Sequence, residues 1–232
     1  MSPIPDPPVC RSTKVRWGFV AWGVLVGLLG LAVVLPKLGG ARKEAAATMQ
    51  AADIHRALLL YANDHDGRFP EAMTHANEAF RHLFRTYLVE EKLFHVPGSA
   101  WHAATGGRGP DNIIGLPPDW AYTQALESGE NHWAYVSGLR ATSDNRLPLI
   151  ADGFVDGSPG TYTDDPSQKG GVWKGRFAIV VLVSGAADRY PVSKKSGFRL
   201  LRRDPVSGTP SDIFHWPNRL AEASPPKILN PQ

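Results

Sequence analysis

Cysteine is almost absent from this chain, and its scarcity excludes one common way of holding a small fold together. Cys10 is the only cysteine among 232 residues. No disulfide can form within the chain, so the fold must rest on packing and hydrogen bonds. A lipid anchor on Cys10 is also disfavoured, because a lipidated cysteine should follow the apolar stretch of its signal, whereas Cys10 precedes the only such stretch.

A strong excess of charge of one sign is missing as well. The 25 Lys and Arg residues against 22 Asp and Glu leave a formal charge of only +3, and the basic residues are scattered along the chain. The sequence therefore predicts no nucleic-acid partner.

Motifs of the well-known catalytic sites are lacking too. The chain contains no His-Glu-x-x-His zinc motif, nucleophile elbow, Walker loop or dinucleotide fingerprint. The glycine-rich stretch 106–109 lacks the Lys and the Ser or Thr that grip phosphate. We therefore predict a protein that is not an enzyme and that has no organic cofactor.

What the chain does have is one long apolar run near its start. Residues 18–35 carry no charge, and as a helix they would span roughly 27 Å, close to the thickness of the hydrocarbon core of a bilayer. We predict a transmembrane helix over 18–35 after a short tail, 1–17. The alternatives are a cleaved signal peptide and a buried helix of a soluble domain, but the run is longer than the usual signal core. Gly23 and Gly27 have the spacing that lets two membrane helices pack closely.

Good helix formers continue after the apolar run. Ile54, Ala57, Leu58 and Tyr61 recur at the spacing of one helical face. The pattern predicts an amphipathic helix over 36–63 that continues the membrane helix, with Pro36 bending it rather than ending it.

The remaining residues predict an α+β domain over 64–204, since a helix comes first and strands follow. A second amphipathic helix is predicted to begin near 74–77. Its apolar stripe consists of Phe80, Leu83, Phe84, Tyr87 and Leu88. Short β-branched and apolar runs predict strands at 133–137, 147–151 and 177–183. The segment 205–232 is predicted to be a loosely ordered tail.

The turn after the long helix carries a resemblance to a known family. Its characteristic residues are Tyr61, Asp64, Asp66, Gly67, Phe69 and Pro70. Combined with an apolar helix that runs through a proline into an amphipathic one, this motif resembles the type IV pilin and type II secretion pseudopilin family. The resemblance implies a long helix packed on a small antiparallel sheet. It also implies a single-pass protein of the bacterial inner membrane, with its C-terminal domain outside the cytoplasm.

The function that the resemblance implies is structural. The chain would be a non-enzymatic component of a type II secretion or type IV pilus-like system, with the membrane, other pilin-like subunits and secretion components as partners. Family members begin the apolar run with a Gly-Phe-Thr-Leu-Ile-Glu type signal, whereas Gly18 and Phe19 are followed by a run without glutamate. We therefore predict that the N-terminus stays uncut. The alternative is an anchored extracytoplasmic module that binds a glycan or another envelope component.

Calcium is the one metal that the sequence suggests. Asp64 and Asp66 resemble the middle of a calcium loop, but Ala62 and Met73 occupy the positions of its first and last ligands, so helix termination explains them better. Some pseudopilins hold calcium in a loop before the last strands. In this chain the candidate calcium ligands of that region are Asp152, Asp156, Asp164 and Asp165.

Overall fold

The structure is a computed structural model. It describes the backbone of residues 17–115, 121–217 and 226–232 and, within these ranges, the side chains from residue 39 onward except that of Arg85. The chain divides into two compact units, Met1–Arg42 and Lys43–Gln232. The described part of the first unit is helical backbone.

Helix α1 runs from Trp17 to Asp64, and Pro36 does not end it. The predicted long N-terminal helix is thereby confirmed as a helix. Where side chains are described, no helix is both long and apolar enough to span a bilayer. The predicted membrane segment 18–35, with Gly23 and Gly27, lies outside that part of the chain, and so does the tail 1–17.

Within the second unit, α1 buries one face. The face recurs at intervals of three and four residues, as a helix packed on one side requires. Its fully or nearly fully buried apolar residues are Ala47, Ala51, Ile54, Ala57, Leu58 and Ala62. The predicted amphipathic pattern is confirmed for Ile54, Ala57 and Leu58. On the other side, Met49 and Leu60 are 67% and 56% exposed.

The turn that follows α1 ends the helix and fixes the next segment. The N–H of Gly67 donates to the carbonyl of Ala62 at 2.8 Å, and Gly67 adopts a left-handed φ of 75°, as is typical after a helix C-terminus. The hydroxyl of Tyr87 donates to Asp64 at 2.7 Å. Asp64 therefore acts as a hydrogen-bond acceptor at the helix end.

Helix α2, Ala76–Arg81, continues as a single 3₁₀ turn, His82–Arg85. The predicted stripe is buried at Phe80, Leu83 and Phe84, but the helix ends earlier than its pattern indicated. The carbonyl of Leu83 accepts N–H groups from Thr86, Tyr87 and Leu88, which closes the turn. Tyr87 and Leu88 therefore follow the helix rather than extend it.

A five-stranded antiparallel sheet forms the centre of the second unit, in the order β4-β3-β2-β1-β7. Its strands are β1 (Trp133–Ser137), β2 (Pro148–Asp152), β3 (Phe177–Leu182), β4 (Ala187–Pro191) and β7 (Lys227–Leu229). A separate hairpin pairs β5 (Leu201–Arg203) with β6 (Pro210–Asp212). The predicted α+β class, a helix with an antiparallel sheet, is confirmed, and so are the three predicted strands to within one residue at each end.

The C-terminal segment departs from its prediction. Residues 205–232 were expected to be loosely ordered, yet they supply β6 and β7. Strand β7 pairs with β1, with Tyr135 opposite Leu229. Without it, the backbone groups along that edge of β1 would lose their partners. A three-residue strand shows no alternation long enough to stand out in a sequence.

Charged and polar contacts join residues 43–64 of α1 to β4 and to the residues on either side of β3. The carboxylate of Glu44, only 9% exposed, accepts from Arg176 and Arg189, each at 2.8 Å. Further along the helix, the buried His55 ring lies 3.1 Å from the carbonyl of Val183. These contacts set the position of the helix along β3 and β4.

Candidate functional site

A buried polar network surrounds Asp152, the last residue of β2. One carboxylate oxygen accepts the indole N–H of Trp173 at 2.7 Å and the backbone N–H of Ile179 at 2.6 Å. The other lies 2.6 Å from Nε2 of His132. Asp152 is 1% exposed. Three donors around one carboxylate are what a buried negative charge needs to remain in a protein interior.

The network extends from His132 to Ser99, whose hydroxyl lies 2.7 Å from Nδ1 of the ring. The order Ser-His-Asp is that of a serine hydrolase, but the nitrogens are exchanged, because in that triad serine bonds Nε2 and aspartate bonds Nδ1. Ser99 is also only 5% exposed. We interpret these contacts as structural, since they join the segment around Ser99 to β1 and β2.

A second buried histidine lies beside this network. His102 accepts the N–H of Val96 on Nε2 at 3.2 Å and has Nδ1 2.8 Å from the carbonyl of Gly129. One nitrogen must accept and the other must donate, so the ring is held in its neutral form. Burial lowers the pKa of His102 to about 4.

The neutral state of His102 predicts a loss of stability in mild acid. Its pKa in the fold lies below its ordinary value of 6.5, so protonation favours the unfolded chain. The stability contribution is complete above pH 6.5 and is lost as the pH falls toward 4. We measure the free energy of unfolding by urea denaturation at several pH values. Between pH 6.5 and 4 it should fall more steeply for wild type than for His102→Gln, by up to about 1.4 kcal/mol per pH unit. Parallel pH profiles for the two proteins would contradict this assignment.

Three carboxylates form a separate cluster before β1. One oxygen each from Glu91, Asp111 and Glu130 lies within 4.8 Å of the others. Glu91 begins the 3₁₀ turn Glu91–Phe94, and its N–H donates to the side chain of Asn112 at 2.9 Å. That bond holds the segment containing Asp111 against the turn.

The oxygens of the cluster are unequally satisfied. One oxygen of Glu91 accepts the N–H of Leu126 at 2.6 Å, while the other, Oε2, is buried and has no hydrogen-bond partner among the described residues. Glu130 accepts N–H groups from Asp111 at 3.1 Å and Glu127 at 2.6 Å. Within the cluster and among the described residues, the buried oxygen that lacks a hydrogen-bond partner therefore belongs to Glu91, the most deeply buried of the three carboxylates.

Burial and mutual repulsion shape the electrostatics of the cluster. Glu91 and Glu130 are 0% and 4% exposed. Burial, together with the neighbouring Glu91 and Asp111 carboxylates, raises the pKa of Glu130 to about 7. Burial also raises the pKa of Glu91, with Asp111 and Glu127 adding to the effect. The repulsion between the carboxylates is therefore not offset by any positive charge within the cluster itself.

An open cavity of about 530 Å³ reaches the cluster from the surface. Asp111 and Glu130 line it, together with Glu127 and Arg108. The guanidinium of Arg108 donates to the carbonyl of Thr105 at 3.1 Å. Solvent therefore meets two of the three carboxylates.

The structure does not bring the four predicted calcium ligands into one group. Asp152 belongs to the buried network, and Asp156 pairs with Lys169 at 2.8 Å. Asp164 pairs with Lys194 at 2.8 Å, and Asp165 accepts from the backbone and side chain of Ser167. Each carboxylate has its own partner, so the geometry does not support the predicted calcium loop.

Comparison with known proteins adds no relative. No protein-family model, curated protein or solved structure matches this chain.

Sequence reasoning missed the carboxylate cluster. Glu91, Asp111 and Glu130 lie about 20 residues apart and form no ligand motif. The one available signal was Glu91 itself, because it lies two residues before the apolar pair Leu93 and Phe94 in a segment whose Phe94 is fully buried. An acidic residue in such a place needs a polar partner.

Proposed function

We propose that this chain is a membrane-anchored, pilin-like structural or assembly component of a type II secretion or type IV pilus-like system. The observation that most supports this proposal is the length of helix α1, which has 48 residues. Its second half lies on an antiparallel sheet through one buried face, and its first half has the uncharged sequence 18–35. This division suits a protein whose helix continues from a bilayer into a folded domain.

The turn after α1 supports the same proposal. The residues that carry the family resemblance also join the helix to the sheet, since Phe69 is 2% exposed and the carbonyl of Pro70 accepts the hydroxyl of Tyr135 at 2.8 Å. The motif therefore acts as a structural connection between helix and sheet, which is the role expected of it in a pilin-like fold.

The outward face of α1 suits lateral contact with other subunits. Met49, Leu59 and Leu60 are 67%, 39% and 56% exposed on this helix. Exposed apolar side chains on a helix can pack against a neighbouring protein, which removes them from water. In the proposed function this face packs against other pilin-like subunits, while residues 18–35 stay uncut in the bacterial inner membrane and the domain lies outside the cytoplasm.

Cysteine crosslinking in membranes tests this arrangement. In a Cys10→Ser background, Leu60→Cys places one thiol on the outward face of α1. We expect oxidation to give a disulfide-linked dimer, or a crosslink to a partner that also carries a cysteine, because laterally packed helices bring their outward faces together. The measurement is non-reducing electrophoresis of membranes that contain the full chain.

The matched control is Val206→Cys in the same background. Val206 is 66% exposed and belongs to the connection between β5 and β6 rather than to α1. Equal crosslinking of both variants would indicate random collision and would contradict the proposed packing, as would a purely monomeric Leu60→Cys protein. The mass of the membrane-extracted chain adds a check, since an uncut protein should retain its full 25.2 kDa.

A further inference from the structure

We propose that Glu91, Asp111 and Glu130 form a calcium-binding site. They come from three separate segments and still place carboxylate oxygens within 4.8 Å of one another. Two of the three are almost completely buried. Carboxylates at such distances repel one another. A divalent cation between them attracts each carboxylate and so offsets that repulsion.

The free oxygen of Glu91 is a separate observation that points to a ligand. Glu91 is 0% exposed, and its Oε2 has no hydrogen-bond partner in the described part of the chain. A buried carboxylate oxygen without a donor is costly and rare in native proteins. Because the other oxygen of Glu91 is already bonded to Leu126, Oε2 is the atom available to a cation.

The chemistry of the donors selects the kind of cation. The cluster offers carboxylate oxygens, which suit hard cations such as calcium, whereas zinc and copper prefer sites with imidazole or thiolate. Calcium takes six to eight oxygen ligands and accepts irregular geometry. Magnesium demands a near-ideal octahedron at shorter distances. Three carboxylates from unrelated segments match calcium better.

The cavity leaves room for the further ligands that a calcium ion needs. It brings solvent to Asp111 and Glu130, so water can fill the positions that the three carboxylates leave open. Arg108 also lines the cavity, but one guanidinium cannot balance three carboxylates together with the neighbouring Glu127. The bound ion would join the turn at 91–94, the segment 110–112 and the segment 126–130 that leads into β1.

The test uses the full chain in detergent after removal of metal with a chelator. Calcium titration should raise the melting temperature and give one binding event per chain by calorimetry. Asp111→Asn should weaken calcium binding about tenfold or more, a loss typical of altered metal sites. This variant changes an exposed residue, so its fold should be preserved. Magnesium at the same concentration should give a smaller shift.

Asp164→Asn is the matched control, because Asp164 is also exposed and belongs to the loop that the sequence had suggested for calcium. It should bind calcium as tightly as wild type. Absence of any calcium-dependent shift in the stripped wild-type protein would overturn the proposal. Weakened binding in Asp164→Asn with normal binding in Asp111→Asn would also overturn it, since the ion would then occupy the other loop.

Discussion

Replacing Asp152 with alanine is expected to lower the free energy of unfolding by about 3–5 kcal/mol, the range for breaking a buried charged contact. The substitution leaves the indole of Trp173, the backbone N–H of Ile179 and the ring of His132 without their common acceptor. All of these groups are removed from water, so each loses a bond that solvent cannot replace.

Urea unfolding, followed by tryptophan fluorescence, measures this loss. Asp152→Asn should fall between alanine and wild type, because it keeps the shape and one acceptor oxygen but turns an amide donor toward one of the three donors. Asp156→Asn serves as the control, since Asp156 is exposed and, among the described residues, pairs with Lys169 alone. A loss for Asp152→Ala no greater than that for Asp156→Asn would show that the network does not stabilise the fold.

The second large effect is expected from Leu58→Ala in α1, at about 2–5 kcal/mol. Leu58 is 0% exposed and belongs to the same buried apolar cluster as the strands of the sheet. Its truncation removes apolar contacts and leaves a cavity between helix and sheet. The measurement is again urea unfolding of the full chain in detergent.

Leu60→Ala provides a control on the same helix with the same chemical change. Leu60 is 56% exposed, so its truncation should change the free energy of unfolding by no more than about 0.5 kcal/mol. Comparable losses at Leu58 and Leu60 would show that the face of α1 that contacts the sheet has been assigned wrongly.

The main elements of the fold could be predicted because their residues carry the pattern locally. The run 177–183 is apolar and β-branched throughout, and β3 spans Phe177–Leu182. The face of α1 likewise follows from the spacing of Ile54, Ala57 and Leu58. In such segments burial, propensity and period all favour the same structure.

The other strands could not be predicted, because distant pairing rather than local pattern forms them. Strand β4 contains Asp188 and Arg189, both exposed, and gains its structure by pairing with β3. Strand β7 has three residues and depends on β1 in the same way. The sequence around either strand shows no apolar alternation.

The polar sites could not be predicted from the sequence for a related reason. His132 and Asp152 are 20 residues apart, and the antiparallel register of β1 and β2 brings them together by placing Trp133 opposite Asp152. That register is a property of the folded sheet. The predicted calcium loop shows the opposite situation, since its acidic residues are close in sequence but each pairs with a different lysine or hydrogen-bond donor.

Strand β7 also affects the order in which the chain can fold. Asn230 accepts the N–H of Ala76 through its carbonyl and the N–H of Phe154 through its side chain. A ribosome makes this residue after the other strands of the sheet, so the edge of β1 stays open while the earlier strands already pair. Exposed strand edges recruit other chains. The newly made domain is therefore most prone to aggregate in the interval that ends when residues 227–230 emerge and close that edge.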